Sequence, residues 1–368
     1  MFLIVAEALQ FCAIASSHPG NAFWAFLCHH QSHAEWTGCS LHDLIQPSFS
    51  FLVGCALAFS VANRAARGQS RPQMAVHAIT RAVALTLLGV ALRTFNAGHA
   101  NWTFEDTLSQ IGLGYVFLFL LAFRPPREQW IAFGAIIILY WAAFALYPAP
   151  AHFDYAAVGV PTDWPYLMHG FAAHWNKNSN IAWAFDTWFL NFFPRQHPFF
   201  FNDGGYATLS FIPTLGTMIL GLIAGQVIRS QSPPWSKVRW FAIASVLGLG
   251  IGLLADASGV CPVVKRIWTP SWVFFSGGWC FLYLTLFYIL VDILGFKRWT
   301  FPFLVIGSNS IVAYCMEDTS DTIFDRLGFE PGHVVSGPYA PLLGGALVLA
   351  GFWGILWLLY WRRIFVRI

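Results

Sequence analysis

The sequence predicts an all-α fold, a polytopic membrane helix bundle of about ten transmembrane helices. Three observations carry that prediction. Charged residues make up only 10% of the 368 residues, against about 25% in soluble domains, too few to coat a water-facing surface. Hydrophobic residues reach 57%, with 36 Phe, 18 Trp and 11 Tyr, so apolar residues suffice for some ten spans at roughly 20 residues each. The apolar stretches are also continuous, as in TMILGLIAG and IIILYWAAFAL, without the alternation of a membrane barrel strand. A soluble enzyme, a disordered regulator and a disulfide-stapled secreted domain are excluded together.

The elements follow in order. Helix is the expected state of each apolar segment, because lipid leaves no partner for an open sheet edge. The segments are 1–16, 43–63, 80–97, 104–123, 130–147, 207–228, 239–256, 271–294, 300–318 and 339–361. The first begins at Met1 with no basic flank, unlike a signal peptide, and is short. The expectation is a chain that starts part-way into its first helix. No internal repeat is visible, so the inverted-repeat layout of many transporters has no support.

Lys and Arg orient the bundle. Arg64, Arg67, Arg71, Arg81, Arg124, Arg127, Arg229, Lys237, Arg239, Lys297, Arg298, Arg362, Arg363 and Arg367 share one side, fourteen of the twenty basic residues. That side is expected to be cytoplasmic, with both termini. Residues 17–42, 98–103, 148–206, 257–270 and 319–338 then face outward. The net charge of +3 comes with no basic stripe able to track phosphates, which excludes a nucleic-acid partner. The seven cysteines have no zinc-ligand spacing. A Cys28–Cys39 disulfide is conceivable in an oxidising compartment, but seven free, buried thiols are expected.

Ionisable groups within spans or at their ends are costly and are functional candidates by default. Glu7, Asp43, Arg81, Arg93, Glu105, Asp106, Glu317 and Asp318 are such groups. Arg81 can equally snorkel to the cytoplasmic surface, and Arg93 is expected to snorkel outward. The densest chemistry is HHQSHAEWTGCSLHDLIQP at 29–47, with His29, His30, His33, His42, Glu35 and Asp43 at the outer entrance of the second span. Histidine suits proton transfer near neutrality. A zinc site and a merely His-rich surface loop stay open beside that, although the HExxH form is absent. The outer loop 148–206 is rich in Trp, Phe, Asn and Asp. It suits either a carbohydrate site, where ring faces stack and amides bond hydroxyls, or an interfacial aromatic belt.

His33-Ala-Glu-Trp36-Thr-Gly38, followed by Asp43-Leu44 and Pro47, resembles the signature of the heparan-α-glucosaminide N-acetyltransferase family of transmembrane acyltransferases. Further stretches fit in the same order: RAVALTLLGV from Arg81, TLSQIGLGY at 107–115, TLSFIPTLGTMILGLIAG at 208–225, PVVKRIWTPSWVFFSGGW at 262–279 and GSNSIVAY at 307–314. The resemblance covers nearly the whole chain, as one membrane-embedded acyltransferase domain, 1–368, with the long outer loop at about 148–206. It implies a bundle pierced by a channel, with acetyl-CoA entering from the cytoplasm as acyl donor and an amino sugar accepting on the outer face.

By the same resemblance His33 is the catalytic histidine and Asp43 its partner. Arg81, with Arg64 and Arg67 nearby, would meet the CoA phosphates. Glu7, Trp36 and Asn309 would serve the substrate, while Lys265, Trp268 and Ser310 fall on recurrent positions without assigned roles. Three departures stand out: the LDALRG-like opening is absent, Ser109-Gln110-Ile111-Gly112 lacks the arginine of the family's QRxG stretch, and the large luminal domain is missing. The implied localisation is a bacterial inner membrane. Expected partners are an amino-sugar or glycan acceptor and membrane lipid, with a homodimer left open and no metal required. In the chemistry, His33 takes a proton from the acceptor ammonium while Asp43 steadies the imidazolium. A ping-pong route through an acetylated His33 stays open. The rival reading is a sugar transporter or permease without acyl transfer, and a third is a catalytically dead homologue.

Overall fold

A computed structural model describes residues 1–148, 153–329 and 337–366. Residues 149–152 of the outer loop, 330–336 of the 319–338 connection and the basic Arg367 lie outside the described residues. The described chain is helical, with a single isolated bridge between Thr37 and Val264 and no strands. Among the described residues seven helices are long and apolar enough to cross a membrane, or eight if a bent pair forms one span. Two further apolar helices, α1 (Phe2–Ser17) and α5 (Thr107–Leu121), are shorter. The chain is therefore an integral membrane protein built as a polytopic helical bundle. Helix faces bearing Ile138, Leu139, Leu146, Val246 and Leu254 are apolar yet exposed, as lipid-facing surface requires.

The chain divides into two compact units. One comprises Met1–Ala34, Cys39–Ile45 and Leu290–Ile368, the other Glu35–Gly38 and Gln46–Ile289. The second contains α3 (Ile45–Ala66), α4 (Arg71–Ala97), α5, α6 (Pro126–Leu146), the short α7 (Ile181–Phe189), α8 (Phe211–Arg229), α9 (Pro234–Ala257) and α10 (Pro270–Phe287). The span from Thr208 to Arg229 is the most enclosed, 72% buried. Small residues make that possible. A Cβ at Gly54 of α3 would run into the Met218 carbonyl of α8, and one at Gly221 into the Phe51 carbonyl. Lipid tails supply no hydrophobic drive between helices, so such close backbone contact is a main source of cohesion.

Start signals are written locally. Ser70 and Gln73 form a reciprocal capping box at α4, Asp106 caps α5, Asn180 caps α7 and Thr269 caps α10; each side chain satisfies a backbone N–H the first turn leaves orphaned. Arg93 does not snorkel outward. Its Nη1 lies 2.9 Å from Glu105 Oε1 and its Nε 3.7 Å from Asp106 Oδ2, because a buried carboxylate pair at the start of α5 needs a cation.

The first unit holds α1, α2 (Ala22–Gln31), α11 (Phe301–Ser308), α12 (Ser310–Leu327) and α13 (Ala340–Trp361). The span expected at 300–318 is instead a pair bent by 71°, continuing to Leu327 in what was expected to be an outer connection. Buried Asn309 sits at the bend, donating to the Ile364 carbonyl at 3.1 Å and accepting from Val366 N–H at 2.9 Å. The α1 helix breaks at Gln10, which adopts a left-handed conformation with φ 50°. Gln31 bridges that break: its Nε2 donates to the Ala6 carbonyl at 2.9 Å, and its Oε1 accepts from Phe11 N–H at 2.6 Å.

The expectation of seven free thiols is also corrected. Cys12 and Cys28 form a disulfide, because α1 and α2 pack as a hairpin that brings their Cα atoms to 4.5 Å. Among the described residues Cys39, Cys55, Cys261, Cys280 and Cys315 form no disulfide. Sequence spacing could not choose this pair, since the expectation for 17–42 was a loop and not the helix Ala22–Gln31.

Candidate functional site

Helix α2 ends at Gln31, and the chain turns extended at Ser32. His29 and His30 therefore lie on the helix, and His33 lies beyond it. His30 Nδ1 accepts from Leu41 N–H at 3.2 Å, and its ring meets His29 edge-on. Among the described residues no three His, Cys, Asp or Glu side chains form a group arranged to hold a metal ion.

His33 meets Asp43. The imidazole Nδ1 is 2.8 Å from Asp43 Oδ1. The other carboxylate oxygen accepts from Ala34 N–H at 3.0 Å and from Ser40 N–H at 2.9 Å. Asp43 is completely buried while the His33 side chain is 38% exposed. A carboxylate accepting at Oδ1 requires the proton on Nδ1, so the tautomer with a lone pair on Nε2 is selected. Two backbone donors on Oδ2 fix the carboxylate, and the carboxylate fixes the ring. Ten residues separate the pair in sequence; the 3-10 turn His42–Leu44 closes the loop.

A second pair adjoins it. His42 Nε2 lies 3.4 Å from Glu7 Oε2, and the His33 and His42 ring centroids are 4.6 Å apart. The charges of Glu7 and Glu317 also bear on one another. Sequence reasoning singled out Glu7 and Glu317 separately as costly charges; what it lacked was any signal that α1 and α12 would bring them together.

The other expected residues fall as follows. Trp36 is buried, its indole N–H donating to the Trp175 carbonyl at 3.2 Å and its ring meeting Trp164 edge-on. Asn309 has both amide groups taken by the C-terminal backbone, as described. Arg81 lies over the Tyr115 ring, 4.8 Å from its centroid, and donates from Nη1 to the Tyr115 hydroxyl at 3.2 Å. Among the described residues its buried Nε has no hydrogen-bond partner, a donor suited to an anionic oxygen. Arg64 bonds Gln69 at 3.1 Å, Arg67 is exposed, and both Arg64 and Arg81 bear electrostatically on His77.

The aromatic outer loop builds a core of its own. Trp164, Trp175, Tyr140, Phe144, Val158 and Val160 cluster around Trp36, which accounts for much of its aromatic content. Asn176 bonds the Met168 backbone in both directions, at 2.9 Å each, and Asn178 donates to the Val158 and Asn202 carbonyls. One titratable group there escaped sequence reasoning. Asp186, at a recess lined by Asn178, Asn180, Trp183 and Tyr206, is buried and accepts from Thr208 N–H at 2.9 Å. Burial, with the nearby Glu105 charge, pushes its carboxyl up to about 7. Lys177 lies over Trp164, and burial with the neighbouring Arg266 lowers its pKa.

No family model matches the chain. It is similar to heparan-alpha-glucosaminide N-acetyltransferase of Homo sapiens, 23% identical over 96% of this chain and 57% of that protein. It is similar also to the protein of the same name from Mus musculus, 21% identical over 86% of this chain and 53% of that one. The chain thus spans about half the length of the curated relatives it matches. Both support the family resemblance carried by the motifs around His33.

Proposed function

We propose that this chain is a transmembrane N-acyltransferase that moves an acetyl group from cytoplasmic acetyl-CoA to the amine of a glucosamine-type sugar at the outer face. One observation carries the proposal: the buried Asp43 carboxylate orients the half-exposed His33 so that Nε2 bears the lone pair. Two relatives named as N-acetyltransferases support it. The whole chain is read as a single catalytic domain in a bacterial inner membrane, with both termini cytoplasmic.

The chemistry follows from the pair. An ammonium carries no lone pair and attacks a thioester only after it has lost one proton to water. His33 Nε2 takes a proton from the acceptor nitrogen as the N–C bond forms. The Asp43 charge favours the imidazolium, and the imidazolium protonates the departing CoA sulfur. General base catalysis of this kind contributes typically about 10²–10⁴ in rate. In the ping-pong variant the same nitrogen carries the acetyl group itself. Arg81 offers its unpartnered Nε to a CoA phosphate, with Arg64 and Arg67 adding positive charge at that end. Glu7, which meets His42 beside the His33 ring, serves the acceptor amine. Trp36 anchors the segment just beyond His33, and Asn309 holds the bend between α11 and α12.

A sugar permease has no use for a buried carboxylate that selects one tautomer of an exposed imidazole. The test is mass spectrometry of glucosamine incubated with purified protein and acetyl-CoA. N-acetylglucosamine and free CoA thiol in equal amounts are expected; unmodified glucosamine with intact acetyl-CoA would refute the proposal.

A further inference from the structure

Ser40 stands where the backbone of His33 and the carboxylate of Asp43 meet. It is buried, 2% exposed. Its backbone N–H donates to Asp43 Oδ2 at 2.9 Å, and its hydroxyl lies 3.2 Å from the same oxygen. In return Ser40 Oγ accepts from Asp43 N–H at 3.3 Å. This reciprocal S-x-x-D pairing is a capping box ahead of the apolar run of α3. A capping box uses the serine oxygen as an acceptor and leaves the hydroxyl proton over. Here the hydroxyl donates to the Ser32 carbonyl, 2.5 Å away, and that carbonyl belongs to the peptide unit that carries the His33 nitrogen. The other side of Ser32 is held too. Its N–H and its hydroxyl both donate to the Cys28 carbonyl of α2, at 3.0 Å and 2.8 Å, and the disulfide with Cys12 ties Cys28 to α1.

One hydroxyl therefore meets both the main chain that bears the base and the carboxylate that orients it. We propose that Ser40 is a positioning residue for acetyl transfer: by bonding the Ser32 carbonyl beside Asp43 Oδ2, its hydroxyl fixes the His33 backbone relative to the Asp43 carboxylate and so aims the His33 ring. The capping box by itself asks for no such bond, because its two members are satisfied without the Ser32 carbonyl. Ser40→Ala isolates the hydroxyl cleanly. Both backbone donors to Oδ2, from Ala34 and from residue 40 itself, survive the change, so the carboxylate still selects the His33 tautomer. What is lost is the tie to the peptide before His33. This inference rests on the acetyl-transfer reading above and adds Ser40 to it as a group acting through His33 and Asp43, without bond making or breaking of its own.

The test separates position from folding. In single-turnover release of CoA thiol with glucosamine in excess, the rate constant reports how well the base is placed, and the amplitude reports how much of the protein is competent. Ser40→Ala is expected to lower the rate constant roughly ten- to a hundredfold, the scale of a misplacement of about 1 Å, with an amplitude near that of the wild type. Ser40→Thr keeps the hydroxyl and should stay within about threefold of the wild type. Asp43→Asn already removes the base, so adding Ser40→Ala to it should slow transfer by less than about threefold further. A wild-type rate constant in Ser40→Ala, a loss confined to the amplitude, a Thr variant as slow as the Ala variant, or an undiminished loss in the Asn background overturns the inference alone. Absence of acetyl transfer by the wild type overturns the functional reading, and the inference with it.

Discussion

Replacing Asp43 by Asn is the sharpest perturbation of the site. The carboxylate accepts from His33 Nδ1 at 2.8 Å, Ala34 N–H at 3.0 Å, Ser40 N–H at 2.9 Å and the Ser40 hydroxyl at 3.2 Å. An asparagine can keep the two backbone bonds by placing its carbonyl oxygen where Oδ2 lies. Its NH₂ then faces His33, and a donor there demands a lone pair on Nδ1, which moves the ring proton to Nε2. The base at Nε2 is lost while the loop stays folded. A wrong tautomer in a comparable His–Asp pair costs about 10⁴ in turnover, so a fall of about 10³–10⁴ is expected, equivalent to roughly 4–5.5 kcal/mol of barrier. The assay is single-turnover release of CoA thiol with glucosamine in excess, alongside equilibrium binding of acetyl-CoA, which should change less than about threefold. Turnover within about threefold of the wild type would show that Asp43 does not select the tautomer, and the general-base argument would fail.

Other outcomes follow from the same geometry. His33→Ala should abolish transfer, whereas His29→Ala should be mild because that ring packs edge-on against His30; equal losses in the two would point to a shared metal and away from a single base. Arg81→Ala should raise the Kd for acetyl-CoA by about tenfold or more, the scale of a charge-assisted hydrogen bond, in a protein that still purifies intact; unchanged calorimetric affinity would return Arg81 to a snorkelling role. Asp186 ties stability to pH. Its carboxyl is raised from 3.8 to about 7, so the folded state holds the proton more tightly. The resulting stabilisation, on the order of 4 kcal/mol at most, is full in acid and disappears as pH rises from about 4 through about 7. Asp186→Asn should flatten the dependence of Tm between pH 5 and pH 8, and a wild-type Tm that rises over that interval would contradict the burial argument.

Much of this architecture is legible in the sequence, for reasons specific to membranes. Lipid forces apolar runs to be helical, and the ten expected segments are all helical, although only seven helices, or eight with the bent pair, are long and apolar enough to span. The His33–Asp43 pairing is implied by the family resemblance, because the residues of 29–47 alone offer four histidines and two carboxylates and do not choose among them. What escaped sequence reasoning depends on partners distant in the chain. Arg93 reads as a snorkelling residue until Glu105 and Asp106 stand beside it. Cys12 and Cys28 become a pair only once α2 exists as a helix. The Trp and Asn of the outer loop suggest a sugar platform or a lipid belt, but Trp36, Trp164 and Trp175 are buried in their own core. Composition cannot tell an aromatic that faces a ligand from one that faces another aromatic.

The central claim, acetyl transfer from CoA on one side of the membrane to an amine on the other, is tested most directly in sealed proteoliposomes. Protein is reconstituted with acetyl-CoA on one side of the membrane and glucosamine on the other, and both products are measured by compartment. N-acetylglucosamine should accumulate on the glucosamine side while free CoA thiol accumulates on the acetyl-CoA side, in equal amounts and only with His33 present. Glucosamine crossing unmodified, with acetyl-CoA intact, would contradict the account and favour a transporter.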